Sequence, residues 1–248
     1  MSYRYPELAK AAIDRLLDDQ LEPIDAAADL ITAALTAGGV LQAFGTGHAR
    51  LVVHEMAGRA GGLMPINLIR VQDLVFFGDR EPSSLLDPTL ERDPGLAADI
   101  LALAAPRPGD PFLIASNSGI NGSVVELARL VREAGHPVIA VCSVAHGSVV
   151  PSRHPSGLKL LDLADVVINT GAPAGDAALE LPDGTRIGAL SNLVGVVIVQ
   201  LLTEGIARRM LAAGITPPVY RSMNLPDGDQ ANAARLASYG TRIRPIEP

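Results

Sequence analysis

The chain contains one cysteine, no tryptophan, and aromatic residues at only 3% of its 248 positions. A single cysteine excludes an internal disulfide. It lies in the apolar run Val138-Ile139-Ala140-Val141-Cys142. Apolar neighbours and no adjacent base make it a buried strand residue rather than a nucleophile. A basic excess is also missing. Twenty Lys and Arg stand against 27 Asp and Glu, a net charge of -7. Nothing therefore draws the chain to a nucleic-acid backbone, and no nucleic-acid partner is expected. Long apolar runs are absent too. The longest, residues 193–202, is too short and too interrupted to cross a bilayer, so no membrane association is expected. Residues 1–7 lack the apolar core of a signal peptide. The combined expectation is a cytoplasmic protein.

Hydrophobic residues make up 48% of the chain and charged residues 19%, a globular composition. Much of the apolar share is Ala, Val and Leu, which suits helices packed on a sheet. Residues 6–37 carry apolar side chains at helical spacing: Ala9, Ile13, Leu16, Leu17, Leu21, then Ile24, Ala27, Ala28, Ile31, Leu35. Short apolar strands are predicted at 40–44, 64–69, 112–115, 138–142 and 165–169. Helical patterns follow at 49–58, 95–105, 123–135 and 191–213. This alternation predicts an α/β fold, a parallel sheet covered on both faces. Three stretches read as irregular. Residues 71–94, with Pro82, Pro88 and Pro94, form a long surface excursion. Residues 143–157 and 170–188 read as loops. No linker divides the chain and no period repeats. One domain over 1–248 is expected, with a helical arm at 1–37, a core at 38–215, and a polar tail at 216–248 carrying a short helix near 229–238.

Two strand-to-helix turns have anion-binding character. They are Gly45-Thr46-Gly47-His48 and Ser116-Asn117-Ser118-Gly119-Ile120-Asn121. Small hydroxyl and amide side chains beside free N–H groups at a helix start suit a phosphate. Thr46, Gly47, His48, Ser116, Asn117, Ser118 and Asn121 are the phosphate candidates. Ser191, which opens the long helix as an N-cap, joins them. A dinucleotide fingerprint fails at Arg50, where a third small residue is required. The triphosphate-binding Gly-x-x-x-x-Gly-Lys-Ser/Thr pattern is absent. Adjacent His54 and Glu55 point about 100° apart on a helix and do not share an ion. With no His-x-x-x-His and no Cys cluster, no metal and no cofactor are expected. For proton transfer, Glu55 fits either a carboxylate working beside a bound phosphosugar or a solvated helix-face charge. His154 sits among turn formers, in a lid, a loop reaching a neighbouring subunit, or a solvated loop. His136, before Pro137, reads as structural. His146 fits either role.

The motifs Phe44-Gly45-Thr46-Gly47-His48, Glu55-Met56-Ala57-Gly58-Arg59-Ala60-Gly61-Gly62 and Ala115-Ser116-Asn117-Ser118-Gly119-Ile120-Asn121 resemble those of SIS (sugar isomerase) domain proteins. Ser152-Arg153-His154-Pro155-Ser156-Gly157 and Ala172-Pro173-Ala174-Gly175-Asp176-Ala177 resemble an uncharacterised SIS subfamily related to phosphoheptose isomerase. The resemblance spans residues 10–244. It implies a three-layer sandwich with a five-stranded parallel sheet in flavodoxin-like order. It also implies paired subunits with sites near their interface. It assigns the sugar-phosphate grip to Ser116, Asn117, Ser118 and Asn121. Glu55 matches the helix-borne glutamate that serves as base in phosphoheptose isomerase. Ala49 stands where several relatives carry a phosphate-binding Ser. The long last helix offers Gln200 and Glu204 but no histidine, leaving the second acid/base group open among His54, His154 and Glu204.

Three functions follow from this resemblance. The first is an aldose–ketose phosphosugar isomerase working through an enediol. The second is a non-catalytic sugar-phosphate sensor, although no DNA-binding module is visible in these residues and the acidic charge argues against direct operator contact. The third is an amino-sugar phosphate lyase of the etherase type. A small phosphosugar is the expected ligand. Apolar helix faces in an Ala-rich chain point to a homodimer or homotetramer.

Overall fold

The computed structural model describes residues 2–246. Two helices, α1 (Tyr5–Asp19) and α2 (Leu21–Thr36), form the arm. The core then runs β1 (Leu41–Gly45), α3 (Arg50–Met56), β2 (Ile66–Ile69), α4 (Asp73–Phe76), α5 (Leu96–Ala104), β3 (Phe112–Ala115), α6 (Gly122–Glu133), β4 (Val138–Cys142), α7 (Val144–Val149), α8 (Leu160–Leu163) and β5 (Val166–Asn169). A hairpin of β6 (Ala177–Glu180) and β7 (Arg186–Ala189) follows, then α9 (Ser191–Ala212) and α10 (Gly228–Leu236).

The strands β2-β1-β3-β4-β5 lie in that order, all neighbours parallel. Every residue of β1 to β4 is buried. Their near-continuous apolar runs are what a sheet covered on both faces requires. The pleat divides the core. Leu41, Ala43, Leu113, Ala115, Ile139 and Val141 face α1, α2, α3 and α9. Phe44, Phe112, Ile114, Val138, Ala140 and Cys142 face α5, α6 and α8. The apolar stripes of α2 (Ile24, Ala27, Ala28, Ile31, Leu35) and α6 (Val124, Val125, Leu127, Ala128, Val131) are the buried ones. The three-layer, flavodoxin-like expectation holds. Cys142 is buried, and burial pushes its thiol up to about 12, so it is inert.

Three segments differ from the sequence reading. Residues 143–157 contain α7, whose first turn is closed by the Ser143 hydroxyl accepting from the His146 N–H at 3.0 Å. Residues 170–188 hold the β6–β7 hairpin. Its strands, Ala-Ala-Leu-Glu and Arg-Ile-Gly-Ala, give little β signal. The turn signal was present, though, in Pro182-Asp183-Gly184, where Asp183 accepts from the Thr185 N–H and hydroxyl. The 71–94 excursion is anchored rather than free. Fully buried Asp73 pairs with buried Arg70, the Oδ1 atom lying 2.6 Å from Nη2.

The tail also folds back onto the core. Met64 N–H donates to the Pro218 carbonyl at 2.7 Å, and Tyr220 N–H to the Gly62 carbonyl at 2.9 Å. Arg242 pairs with buried Asp110 at 2.7 Å. No described helix is long and apolar enough to cross a membrane.

Candidate functional site

In an open α/β sheet, ligands bind beyond the carboxyl ends of the strands, where the strand order reverses. Here that point lies between β1 and β3. A cavity of about 530 Å³ opens there. Thr46, Gly47 and His48 line it from the end of β1, and Ser116, Asn117, Ser118 and Asn121 from the end of β3. The hairpin and the start of α9 close the far side with Asp176, Ala189 and Ser191. All eight phosphate candidates from the sequence therefore meet in one cavity.

The turn after β3 is rigid. Ser143 N–H donates to the Asn117 carbonyl at 2.9 Å, Leu160 N–H to the Gly119 carbonyl at 2.8 Å, and Arg153 N–H to the Ile120 carbonyl at 3.0 Å. Asn121 is the N-cap residue of α6, yet its side chain does not cap the helix. Its Oδ1 accepts instead from Arg153 Nη1 at 2.9 Å. Of the first-turn N–H groups of α6, that of Val124 goes to the Asn121 carbonyl at 3.1 Å, and no side-chain cap fills those of Gly122 and Ser123 at the positive end of the helix. Asn117 Nδ2 lies 3.3 Å from His146 Nδ1, while its buried Oδ1 has no partner among the described residues. A buried acceptor without a donor is rare, and a ligand hydroxyl would satisfy it.

The far wall contains a group that the sequence reading quoted within a motif without giving it a role. Asp176 accepts from the Leu190 and Ser191 N–H groups at 3.0 and 2.8 Å and from the Ser191 hydroxyl at 2.6 Å. It caps α9, so Ser191 lines the cavity with its hydroxyl donated to a carboxylate. Fourteen residues separate Asp176 from Leu190 in sequence, and no local pattern marks such a cap. Glu91, from the 71–94 excursion, and His146 also line the cavity.

The four proton-transfer candidates do not line the cavity in the single chain. Glu55 is paired with Arg59 and accepts from Gln200 Nε2 at 2.9 Å, facing α9 more than two turns below Ser191. His54 is on the same helix and is half-buried. Glu204 pairs with Arg208 at 2.6 Å on an exposed face of α9, beside α2. His154 is held at both ring nitrogens, Nε2 2.9 Å from Glu126 Oε2 and Nδ1 2.7 Å from Ser156 Oγ. It pins the 151–159 loop onto α6. Among the described residues no group of His, Cys, Asp or Glu could hold a metal ion.

The Glu126 contact has a consequence for stability. Its carboxyl is held below its ordinary 4.5, first by the hydrogen bond from Arg129, against burial, with further help from the charges of Arg129 and His154. A carboxyl with a depressed folded-state value stabilises the fold above its unfolded value, and that contribution fades as pH falls through the folded one. Glu126→Gln should therefore lower the melting temperature at pH 7. The gap from the wild type should narrow as pH falls below about 4.5. Thermal unfolding across pH measures this, and a gap independent of pH would refute it.

Comparison with known proteins adds three findings. The sequence model of the family described as SIS domain matches residues 4–143. A UPF0309 protein of Streptomyces coelicolor is 39% identical over 237 residues, covering 94% of each chain. Among solved structures, a phosphoheptose isomerase from Francisella tularensis superposes with a TM-score of 0.56 at 14% identity, over 82% of this chain and 95% of its own. The sugar isomerase domain of an RpiR transcription factor from Sphaerobacter thermophilus gives 0.51 at 17% identity, over 94% of each. At such identities the structural likeness concerns the fold.

Proposed function

The chain belongs to the SIS domain family, and on that premise we propose that it binds a phosphosugar in the cavity between β1 and β3 and interconverts its aldose and ketose forms. The observation that carries this reading is the open N-terminus of α6. Its cap side chain is turned away to Arg153, and Ser116 and Ser118 line the same cavity as its N-cap residue Asn121. The phosphate takes the helix N–H groups and the hydroxyls. The Thr46–His48 turn and the hairpin wall then position the sugar. Binding a group remote from the reacting carbons supplies the placement that lets one carboxylate move a proton. Glu55, the base that the resemblance implies, is engaged by Arg59 and Gln200 outside this cavity. On this reading it belongs to a cavity completed by a second copy. The same reading makes the protein a cytoplasmic homodimer or homotetramer without a cofactor.

Proton NMR in deuterated water tests the reaction class. The probes are fructose 6-phosphate, sedoheptulose 7-phosphate and N-acetylmuramic acid 6-phosphate. Deuterium at C1 of the ketose phosphate, or at C2 of the aldose phosphate formed from it, is the expected result. Loss of the lactyl ether from the third probe would replace isomerase by lyase. Saturable binding with neither change would make the protein a sensor. No binding of any probe would overturn the phosphosugar reading itself.

A further inference from the structure

We propose that Glu91, carried into the site by the 71–94 excursion, is the carboxylate that moves the proton between the sugar carbons. The inference rests on the phosphosugar reading above.

Two carboxylates line the cavity, Asp176 and Glu91. Asp176 is committed to capping α9. The Glu91 carboxylate makes no hydrogen bond or ion pair among the described residues, whereas Glu55, Glu126, Glu133 and Glu204 are all paired. The backbone beneath it is fixed. Glu91 lies in a 3-10 turn, Leu90–Arg92, whose Arg92 N–H donates to the Thr89 carbonyl at 2.8 Å. The Ser123 hydroxyl, in the first turn of α6, donates to the Glu91 carbonyl at 2.7 Å. Gly122 makes this docking possible, because a Cβ there would stand 2.2 Å from the Arg92 carbonyl oxygen. The turn that carries Glu91 is therefore seated on the helix whose N-terminus takes the phosphate.

The carboxylate itself stands over the other loop. A Cβ on Gly47 would lie 3.2 Å from Glu91 Oε2. A second cavity, of about 350 Å³, shares Thr46, Gly47 and Glu91 with the first. Glu91 thus sits at the junction of the two, beside the path from the phosphate end toward the β1 turn. An unpaired carboxylate facing a bound phosphate would weaken its binding through like charge. On this proposal it faces the carbon end, where a carboxylate can move a proton.

The step balances within the substrate. The Glu91 carboxylate takes the proton from C2 of the open-chain aldose phosphate. The C–H electron pair becomes the C1–C2 double bond, and the carbonyl pair moves onto O1. The enediolate takes a proton at O1 and gives one up from O2. Glu91 returns its proton to C1, yielding the ketose, with no oxidant or reductant consumed.

The test uses the full-length protein with the ketose phosphate that the wild type binds, reading binding by titration and deuterium uptake by NMR. Glu91→Gln should cut exchange by roughly 100-fold or more while binding stays equal or tightens. Glu91→Asp, with a shorter but still acidic side chain, should retain exchange above the Gln variant. A role confined to shaping the cavity would not separate these two variants in exchange while leaving binding alone. Exchange retained in Glu91→Gln, including the case where only Glu55→Gln abolishes it, overturns the assignment. So does a Gln variant that loses exchange and binding together. Binding without exchange in the wild type also overturns it and leaves the binding reading intact. Failure of the wild type to bind any phosphosugar brings down the earlier reading first.

Discussion

Replacing Ser116 and Ser118 together by Ala should weaken phosphosugar binding by about 10²- to 10⁴-fold. Both line the cavity in front of α6. On the proposed reading each hydroxyl donates to a phosphate oxygen. A hydrogen bond to a charged group is worth about 1.5–3 kcal/mol, so two removed together give about 3–6 kcal/mol, which sets that range. The fold should tolerate the change. The rigidity of the turn comes from backbone carbonyls of Asn117, Gly119 and Ile120, which the substitutions leave alone. Ser116 Oγ also accepts from the Gly119 N–H at 3.2 Å, so a small loss of loop order accompanies the double variant. Calorimetric titration with fructose 6-phosphate and with inorganic phosphate reads the effect. Both ligands should weaken alike, because they share the same end of the site. An affinity within a few-fold of wild type would place the phosphate elsewhere.

Asp110→Ala should lower stability by about 3–5 kcal/mol, the usual loss when one member of a buried ion pair is removed. Asp110 is 1% exposed and gathers four donors. Its Oδ1 accepts from the Val40 N–H at 2.8 Å and from Arg242 Nη2 at 2.7 Å. Its Oδ2 accepts from the Arg107 N–H at 2.8 Å and from Gln42 Nε2 at 3.3 Å. Gln42 in turn accepts from Asn67 Nδ2 at 2.7 Å, and Asn67 Oδ1 from the Arg244 N–H at 3.2 Å. This polar ladder runs across the sheet and fastens the C-terminal tail beneath it. Without the carboxylate, two backbone N–H groups and the Gln42 amide lose this acceptor, and the Arg242 guanidinium keeps only the Gly38 carbonyl among the described residues. For a chain of this size the melting temperature should fall on the order of 10 °C. The tail should also become more open to proteolysis after residue 216. A loss below about 1 kcal/mol would mean that water replaces the carboxylate.

Much of this protein is determined by local pattern. Short strands of continuous apolar residues, each stopping at Gly or Ser and followed by a helical stripe, are enough to specify a parallel sheet covered on both faces. The Ser116–Asn121 turn declares itself too, because its chemistry lies in consecutive residues at a strand-to-helix junction. What the sequence could not specify was which distant side chains share the cavity. Glu55 looked apt because it stands on the right helix. Its actual surroundings are set by Arg59 one turn on and by Gln200, 145 residues away. His154 looked free among turn formers, and packing gave both its nitrogens structural partners. Glu91 and Asp176 lay in stretches with no periodicity. They enter the site only through the docking of the 71–94 excursion on α6 and of the hairpin on α9. Local pattern determined the elements and the hydroxyl-rich turn after β3. The acidic groups of the cavity were decided by long-range packing, whose partners lie dozens of residues apart and leave no mark on their neighbours in sequence.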